Sequence, residues 1–522
     1  MLSAANPVSN ISQGRDSREP TSSWTLNQIL LATNGRILPF PIERFRRPAH
    51  PDDLAALPRL SFTNISTDTR TLARGDLFVT LRGDNFDGVD FIPQALQKGA
   101  SGLLISKDRR DDVCAMLKQP DLARFEQPLV ILVSNPLTAL GDLAANHRSL
   151  LPNLRVIAIT GSTGKTTVKE MTAAIISKRF STLKTKGNFN NLIGLPLTLL
   201  EAQDQHRMAV LEMGMNHPGE IARLTEIADP DVGLILNIHH AHLEGLNSIE
   251  GVAQAKGELF DGMKSWSTLV VNYDDPLVRA LAKQYRRKKI GFAASAAGRR
   301  HRPVVGATHI KGKGSEGIDF RLRIGEETQC VNLRTIGSHN VNNALAAAAL
   351  AHAVGIGIET IAEGLASFTA FEKRSQLLET PLLGLRIYND AYNANPASMQ
   401  AAITTLASLG RGHRTIAVLG DMLELGDYSL AAHRNIGRMV EAAGIDYLAV
   451  FGEFGPEMVA AAREAGMADK QAQAFDSKNE LSRWLQELVA SGALNPGDLL
   501  LLKGSRGMRM ETILEDLQKE TA

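Results

Sequence analysis

Cysteine is almost missing from this chain: Cys114 and Cys330 are the only two among 522 residues. So few, and so far apart, they exclude a disulfide scaffold and a cysteine-rich metal site and suit a reducing compartment. Net charge is equally scarce, because 57 basic residues are offset by 56 acidic ones, leaving +1. No global field therefore points to nucleic acid or an anionic membrane, and any anion must be met by local groups. No apolar run approaches the roughly 20 residues of a membrane span, and no signal-peptide core opens the sequence. No repeat with a period of roughly 20 to 50 residues is present, and no low-complexity tract beyond the first residues. These absences leave a soluble cytoplasmic protein, and 522 residues exceed one core and suggest roughly three domains.

Boundaries fall where patterns restart. Residues 1–22, rich in Ser, Asn and Pro, read as a disordered leader, and 39–58 as an inserted loop of no assigned role. The segment "STDTRTLARGDLFVTLRGDNFDGVDFIPQALQKGASGLLIS" alternates strand, glycine turn, helix and strand, giving a small α/β domain over 23–151. A second block, 152–369, alternates strands with helices and includes the alanine-rich helix "NNALAAAALAHAVG". The third, 370–522, carries the short apolar runs of "TIAVLGDM", "YLAVFG" and "DLLLLKGS", as in a doubly wound parallel sheet.

The second block opens with "RVIAITGSTGKTTVKEM". Its apolar run reads as a buried parallel strand, and the glycines, lysine and threonine behind it form a phosphate-binding loop. The spacing G-x-x-G-K-T-T is two residues shorter in its first half than G-x-x-x-x-G-K-[ST]. Gly161 and Gly164 still allow close backbone approach, the amides of Ser162, Thr163 and their neighbours can cradle phosphate oxygens, Lys165 can reach terminal phosphates, and Thr166 offers a hydroxyl to Mg²⁺. A helix is expected from about Thr167 toward Phe180. Two more strand ends carry polar groups: Glu212 after "MAVLEMG" and His242 after "GLILNIHHAHLEG". In an open α/β sheet both would converge on the nucleotide, Glu212 as a metal or water ligand and His242 near the terminal phosphate. A capping glutamate and a surface histidine are the alternatives.

In "SIEGVAQAKGELFDGM", Val252, Leu259, Phe260 and Met263 share a helical stripe with Lys256. Such a lysine can snorkel, its head in water. Desolvated instead, its amine would lose its proton and could take up CO₂ as a carbamate, a bidentate anion suited to Mg²⁺.

Taken together, "GSTGKTTVKEMTAAI", "KGNFNNLIGLPLTLL", "EMGMNHPGEI", "AHLEGLNSIEGVAQAKGELF", "GSHNVNNALAAAA", "DAYNANPASMQAA", "LGDMLELG" and "LLKGSRGMRME" resemble the Mur ligase family in collinear order over roughly residues 60 to 515. The resemblance implies an α/β chain of three domains: one for the UDP end of the substrate, a central P-loop parallel-sheet ATPase domain, and a C-terminal Rossmann-like domain that closes over ATP. It implies ATP and Mg²⁺ as cofactors, a monomer, and an amide-forming reaction between the free carboxylate of UDP-N-acetylmuramoyl-tripeptide and D-Ala-D-Ala.

Carried over by motif, Lys165 would meet the β- and γ-phosphates with Gly161, Ser162, Thr163, Gly164, Thr166 and Thr167 around them. Thr166, Glu212, His242 and Lys256, the last as carbamate, would make the metal neighbourhood. Asn340 and Asn343 would lie near adenine, Arg374 at the γ-phosphate from the hinge, and Asp390 at the ribose. Asn188 and Asn191 would face the substrate, Ser66 and the following "DTR" the uridine diphosphate, and Asn393, Asn395 and Ser505 the dipeptide. Ordinary structural roles stand beside these: a turn or cap for Asn393 and Asn395, a helix start for Asn340 and Asn343, a solvated hinge charge for Arg374, and turn residues for Asp390 and Ser66. The chain reads Asn389-Asp390-Ala391-Tyr392 where the family commonly has DDSY, and Val89 where a histidine is frequent. Two rivals remain: a ligase of the same superfamily with another amine, and a nucleotide-dependent switch with no chemistry.

Overall fold

The computed structural model describes residues 23–38, 60–83, 86–369, 373–378 and 382–521. The expected leader 1–22 and the insertion 39–58 lie outside them. The chain divides into two compact units, up to residue 143 and from residue 144. Among the described residues no helix is long and apolar enough to cross a membrane.

The first unit holds a five-stranded sheet of β1 (Arg36–Ile37), β2 (Ile65–Ser66), β3 (Leu77–Val79), β4 (Gly102–Ser106) and β5 (Leu129–Val133), in spatial order β1-β5-β4-β3-β2. All neighbours are parallel except β1 with β5. The glycine turn after β3 leads to α1 (Ile92–Gln97), which starts with Pro93 in its first turn, where the missing N–H costs nothing. Val89, Ile92 and Leu96 bury against Phe78 and Leu103.

The second unit is built on two sheets. The first has nine strands: β6 (Arg155–Thr160), β7 (Thr182–Lys184), β8 (Met208–Glu212), β9 (Val232–Ile235), β10 (Thr268–Asn272), β11 (Lys289–Ala293), β12 (Val305–Gly312), β13 (Ile318–Ile324) and β14 (Glu327–Leu333). Their order is β14-β13-β12-β11-β10-β9-β6-β8-β7, so the strand before the P-loop lies between β9 and β8, and their carboxyl ends meet beside it. Val156 to Thr160 are all fully buried, as a parallel strand covered on both faces requires. On one face pack α2 (Lys165–Ile176), which follows β6, and the alanine-rich α4 (His339–Ala353); α3 (Ile249–Gly262) precedes β10. Ala344, Ala346 to Ala349 and Ala351 are wholly buried, and their small side chains let α4 lie close to α2. The simple strand–helix alternation expected over 152–369 does not hold throughout: β12, β13 and β14 run antiparallel with no α-helix between them, only a single 3₁₀ turn at Gly314–Glu316.

The second sheet comprises β15 (Gln376–Leu377), β16 (Arg386–Asn389), β17 (Thr415–Gly420), β18 (Tyr447–Phe451), β19 (Ala472–Phe475) and β20 (Leu499–Lys503), in order β15-β16-β20-β17-β18-β19. Apart from the antiparallel β15 it is parallel, a doubly wound sheet whose order reverses around β16, β20 and β17. Between β16 and β17 runs α5 (Pro396–Leu409). Leu499 to Leu502 are fully buried, each contributing about 1.5–3 kcal/mol of hydrophobic stabilisation.

Candidate active site

The phosphate-binding loop leaves β6 at Thr160 and enters α2 at Lys165, two residues before the expected start, and the helix ends at Ile176, short of Phe180. Gly164, at φ 80°, caps it; a Cβ there would sit 2.6 Å from Asn343 Oδ1, so glycine is required on two counts. Asn237, at the end of β9, holds the loop: its Oδ1 accepts from the Ser162 and Thr163 amides, both at 2.9 Å, and its Nδ2 donates to Thr163 O and Oγ1, both at 3.1 Å. Those two amides are therefore committed to the protein. The first-turn amides of α2, which have no intrahelical partner, form the cradle for an anion.

Lys165 folds back so that Nζ donates to Gly161 O at 2.7 Å. Desolvation draws its ammonium below the usual lysine range, opposed by the charge of Glu212. Glu212, 2% exposed at the end of β8, accepts from Thr166 Oγ1 through Oε2 and from Asn190 Nδ2 through Oε1, each at 2.8 Å. The hydroxyl and the carboxylate thus sit side by side beneath the loop. Among the described residues no group of three or more His, Cys, Asp or Glu could hold a metal alone. Mg²⁺ does not need one, since it binds through one or two carboxylates together with substrate phosphates and water, and the Thr166–Glu212 pair fits that mode.

Lys256, on α3, is 1% exposed along its whole side chain, with Val252, Leu259, Phe260 and Met263 buried beside it. The snorkelling alternative, which needs the head in water, does not describe it. Burial first, and then the like charge of Lys165, holds its amine well below the usual lysine range, and among the described residues no acceptor pairs with it.

The opposite wall comes from the C-terminal sheet. Arg374 lies over the Tyr392 ring with its guanidinium carbon 3.9 Å from the centroid. Asp390 accepts from Lys503 Nζ at 2.6 Å and from the Ser375 amide at 2.8 Å. Asn395 caps α5 in a reciprocal pair with Ser398, and its Nδ2 also reaches Ser162 O of the P-loop at 3.4 Å. Asn393 offers Oδ1 to the Arg506 amide at 3.4 Å, and its carbonyl accepts from Lys503 Nζ.

A cavity of about 630 Å³ lies between the walls. Of the residues named from sequence, Ser162 to Thr167, Asn188, Asn191, Glu212, His242, Asn343, Arg374, Asp390, Asn393 and Asn395 line it. Gly161, Asn340, Lys256 and Ser505 are not among its lining residues. Asn340 Oδ1 accepts from Asn343 Nδ2 at 2.8 Å, and Ser505 accepts from the Leu423 amide at 2.9 Å. Ser66 belongs to the first unit, where its hydroxyl closes a turn on Asp68. That unit has its own cavity of about 540 Å³, with Arg82, Lys107 and Arg109 on its wall. At the larger cavity, Asn342 Oδ1 and Arg374 Nε are buried without a partner, polar atoms that a ligand would satisfy.

Sequence reasoning passed over Asn190, Asn237, Glu424, Lys503 and Arg506, which also line the cavity. Asn237 stood at a strand end in "ILNIHH", the signal that singled out Glu212, while Glu424, Lys503 and Arg506 lay inside quoted motifs without being singled out.

Comparison with known proteins gives three family matches: "Mur ligase family, catalytic domain" over 61–148, "Mur ligase middle domain" over 159–351, and "Mur ligase, glutamate ligase domain" over 373–506. The UDP-N-acetylmuramoyl-tripeptide--D-alanyl-D-alanine ligase of Escherichia coli is 39% identical over 459 residues, covering 87% of this chain and 93% of the relative. The Bacillus subtilis ligase of the same name is 37% identical over 453 residues, covering 87% and 92%. Among solved structures, MurF from Acinetobacter baumannii aligns with TM-score 0.80 at 31% identity, over 96% of this chain and 100% of the other. The MurF ligase of Thermotoga maritima in complex with ADP aligns with TM-score 0.73 at 28% identity, over 88% and 97%.

Proposed function

The chain belongs to the Mur ligase family, and from that premise we infer that it joins D-Ala-D-Ala to the free carboxylate of UDP-N-acetylmuramoyl-tripeptide at the expense of ATP, in cytoplasmic peptidoglycan precursor synthesis. A carboxylate is a poor electrophile in water. Transfer of the γ-phosphoryl group to it gives an acyl phosphate and ADP; the dipeptide's amine attacks the carbonyl carbon, and the tetrahedral intermediate loses phosphate and a proton to leave the amide.

The chain's part is charge stabilisation and positioning, as in other phosphoryl transfers. Lys165 and the first-turn amides of α2 meet the β- and γ-phosphates. Thr166 and Glu212 would hold Mg²⁺, with His242 and Lys256, as a carbamate, completing the neighbourhood; bound there, the ion would offset charge on the phosphoryl oxygens. Arg374 and Asp390 contact the nucleotide from the C-terminal side, with Asn343 and Asn340 behind it at the base. Asn188 and Asn191 face the tripeptide, and Asn393 and Asn395, supported by Ser505, face the incoming dipeptide. The UDP end belongs to the first domain, where Ser66 and the "DTR" turn lie. Domains at 23–151, 152–369 and 370–522 fit this division, and the working form is a monomer.

The observation that carries the reading is the convergence of the P-loop and the "YNANP" and "KGSR" segments on one cavity. A switch without chemistry would need no such facing wall. The test is phosphate release from ATP with purified UDP-N-acetylmuramoyl-tripeptide, with and without D-Ala-D-Ala. Release that requires both is expected; release indifferent to the dipeptide, or supported equally by a single amino acid, refutes it.

A further inference from the structure

His242 and Glu424 lie 182 residues apart in sequence, on opposite walls of the cavity, yet His242 Nδ1 and Glu424 Oε2 are 2.6 Å apart. A second bond joins the same segments, the Glu244 amide donating to Glu424 O at 3.3 Å. Both residues adopt the left-handed region, His242 at φ 55° and Glu424 at φ 64°. Non-glycine residues are held there only where the surroundings over-determine them, and such positions cluster at functional sites.

The loop that carries Glu424 is tied down from behind. Asp421 accepts from the Glu453 and Phe454 amides at 2.7 and 3.2 Å, and Ser505 Oγ accepts from the Leu423 amide at 2.9 Å. In front, Tyr428 stacks on His240 with centroids 4.8 Å apart and planes 23° apart. Glu424 is therefore presented to His242 by a loop fixed at both ends.

An ionised carboxylate can only accept, so the hydrogen at this contact belongs to His242 Nδ1. Among the described residues no partner engages Nε2 of His242.

We propose that Glu424 is a positioning residue for His242: the C-terminal domain, once docked, fixes the imidazole in its Nδ1–H form and leaves the Nε2 lone pair for a metal ion bound beside the reacting phosphate. The inference rests on the ligase reading above and adds to it a coupling between docking and chemistry. A carboxylate bonded to the far nitrogen of a histidine is the usual way its tautomer and ring orientation are set.

The test uses the full chain labelled with ¹⁵N-histidine, with His242 assigned by its loss in His242→Gln. In the unsubstituted protein His242 should be protonated on Nδ1. Glu424→Ala should shift it toward the Nε2–H form, lower kcat for ligation by roughly 10–100-fold, the range for such supporting contacts, and change KM for ATP less than about threefold. Glu424→Gln, whose amide oxygen still accepts from Nδ1, should recover most of both effects. A His242 tautomer unchanged in Glu424→Ala, or full kcat in that variant, overturns the inference. The tautomer is read without substrate, so it decides this inference even if the unsubstituted protein fails to ligate, a failure that would fall on the reaction reading instead.

Discussion

The Thr166 hydroxyl donates to Glu212 Oε2 across 2.8 Å, bridging the first turn of α2 and the carboxyl end of β8. A threonine hydroxyl and a buried carboxylate, held together before any ligand arrives, are pre-placed for one cation. Thr166→Val keeps the shape and removes the donor, so the Mg²⁺ concentration for half-maximal activity should rise and kcat fall by about 10–100-fold, the scale of metal-site contacts. Titrating Mg²⁺ while following ADP release checks this, and an unchanged Mg²⁺ requirement refutes the assignment.

Lys165 leans on Gly161 O at 2.7 Å and is partly stripped of water, so its charge is held over the loop without a strong competitor. Lys165→Ala should lower kcat by about 10³-fold, the upper range for removing one pre-organised group that meets developing charge. Thermal unfolding should move little, because no carboxylate is left unpaired. Ligation within tenfold of the unsubstituted protein would show that the phosphates lie elsewhere.

Asn237 serves the loop without needing to touch a ligand. Replacing it by alanine leaves the Ser162 amide its second bond, to the carbonyl of residue 237 at 3.1 Å, but strands the Thr163 amide, at a cost of about 1–3 kcal/mol for an unsatisfied group. Denaturant unfolding of Asn237→Ala should register that loss, and KM for ATP should rise as the loop loosens. Unaltered stability and KM would mean water replaces the side chain fully.

These contacts also mark what sequence alone could and could not disclose. Glu212 and the P-loop were legible because strand ends in a parallel sheet gather the chemistry, and that rule needs only apolar runs and their successors. Asn237 obeys the same rule but bonds to backbone amides, a role no spacing encodes. The pairing of Asp390 with Lys503 and of His242 with Glu424 joins segments more than a hundred residues apart, set by how the sheets are arranged. The antiparallel end of the central sheet had a readable sign in the alternation of Ile318, Phe320, Leu322 and Ile324, all buried, with exposed or half-buried polar residues between them.

A pH dependence follows from His433. Its Nε2 accepts from the Met422 amide at 2.9 Å while Nδ1 donates to Ser429 O at 2.7 Å, so the neutral ring is satisfied at both nitrogens. Protonation would break the first bond. Burial outweighs nearby Asp421 and lowers the imidazole's affinity for its proton. With the folded value below the unfolded one of about 6.5, the unfolded chain binds more protons in that window. The contribution of His433 is therefore in place above about pH 6.5 and is lost as pH falls toward the folded value. Denaturant unfolding at pH 7.5 and 5.5 should show lower stability at the acid value, with a smaller difference in His433→Asn.

Lys256 gives the sharpest test, because only one of its two chemical forms is an anion. Its side chain is fully buried and its amine is pushed well down by desolvation, the condition under which a neutral amine adds to CO₂ and releases a proton, leaving an N-carboxylate. As that anion it would present two oxygens to Mg²⁺; as a plain desolvated amine it would present none. Under the carbamate assignment Lys256→Ala should be nearly inactive and partly restored by added acetate, which can occupy the vacated space and return the carboxylate. Lys256→Arg should stay inactive, since guanidinium keeps the positive charge and cannot take up CO₂. Independently of activity, ¹³C-bicarbonate should give the unsubstituted protein a carbamate resonance that both variants lack. An active Lys256→Arg protein, or no such resonance at saturating bicarbonate, would falsify the assignment and leave Lys256 a buried amine whose only work is packing.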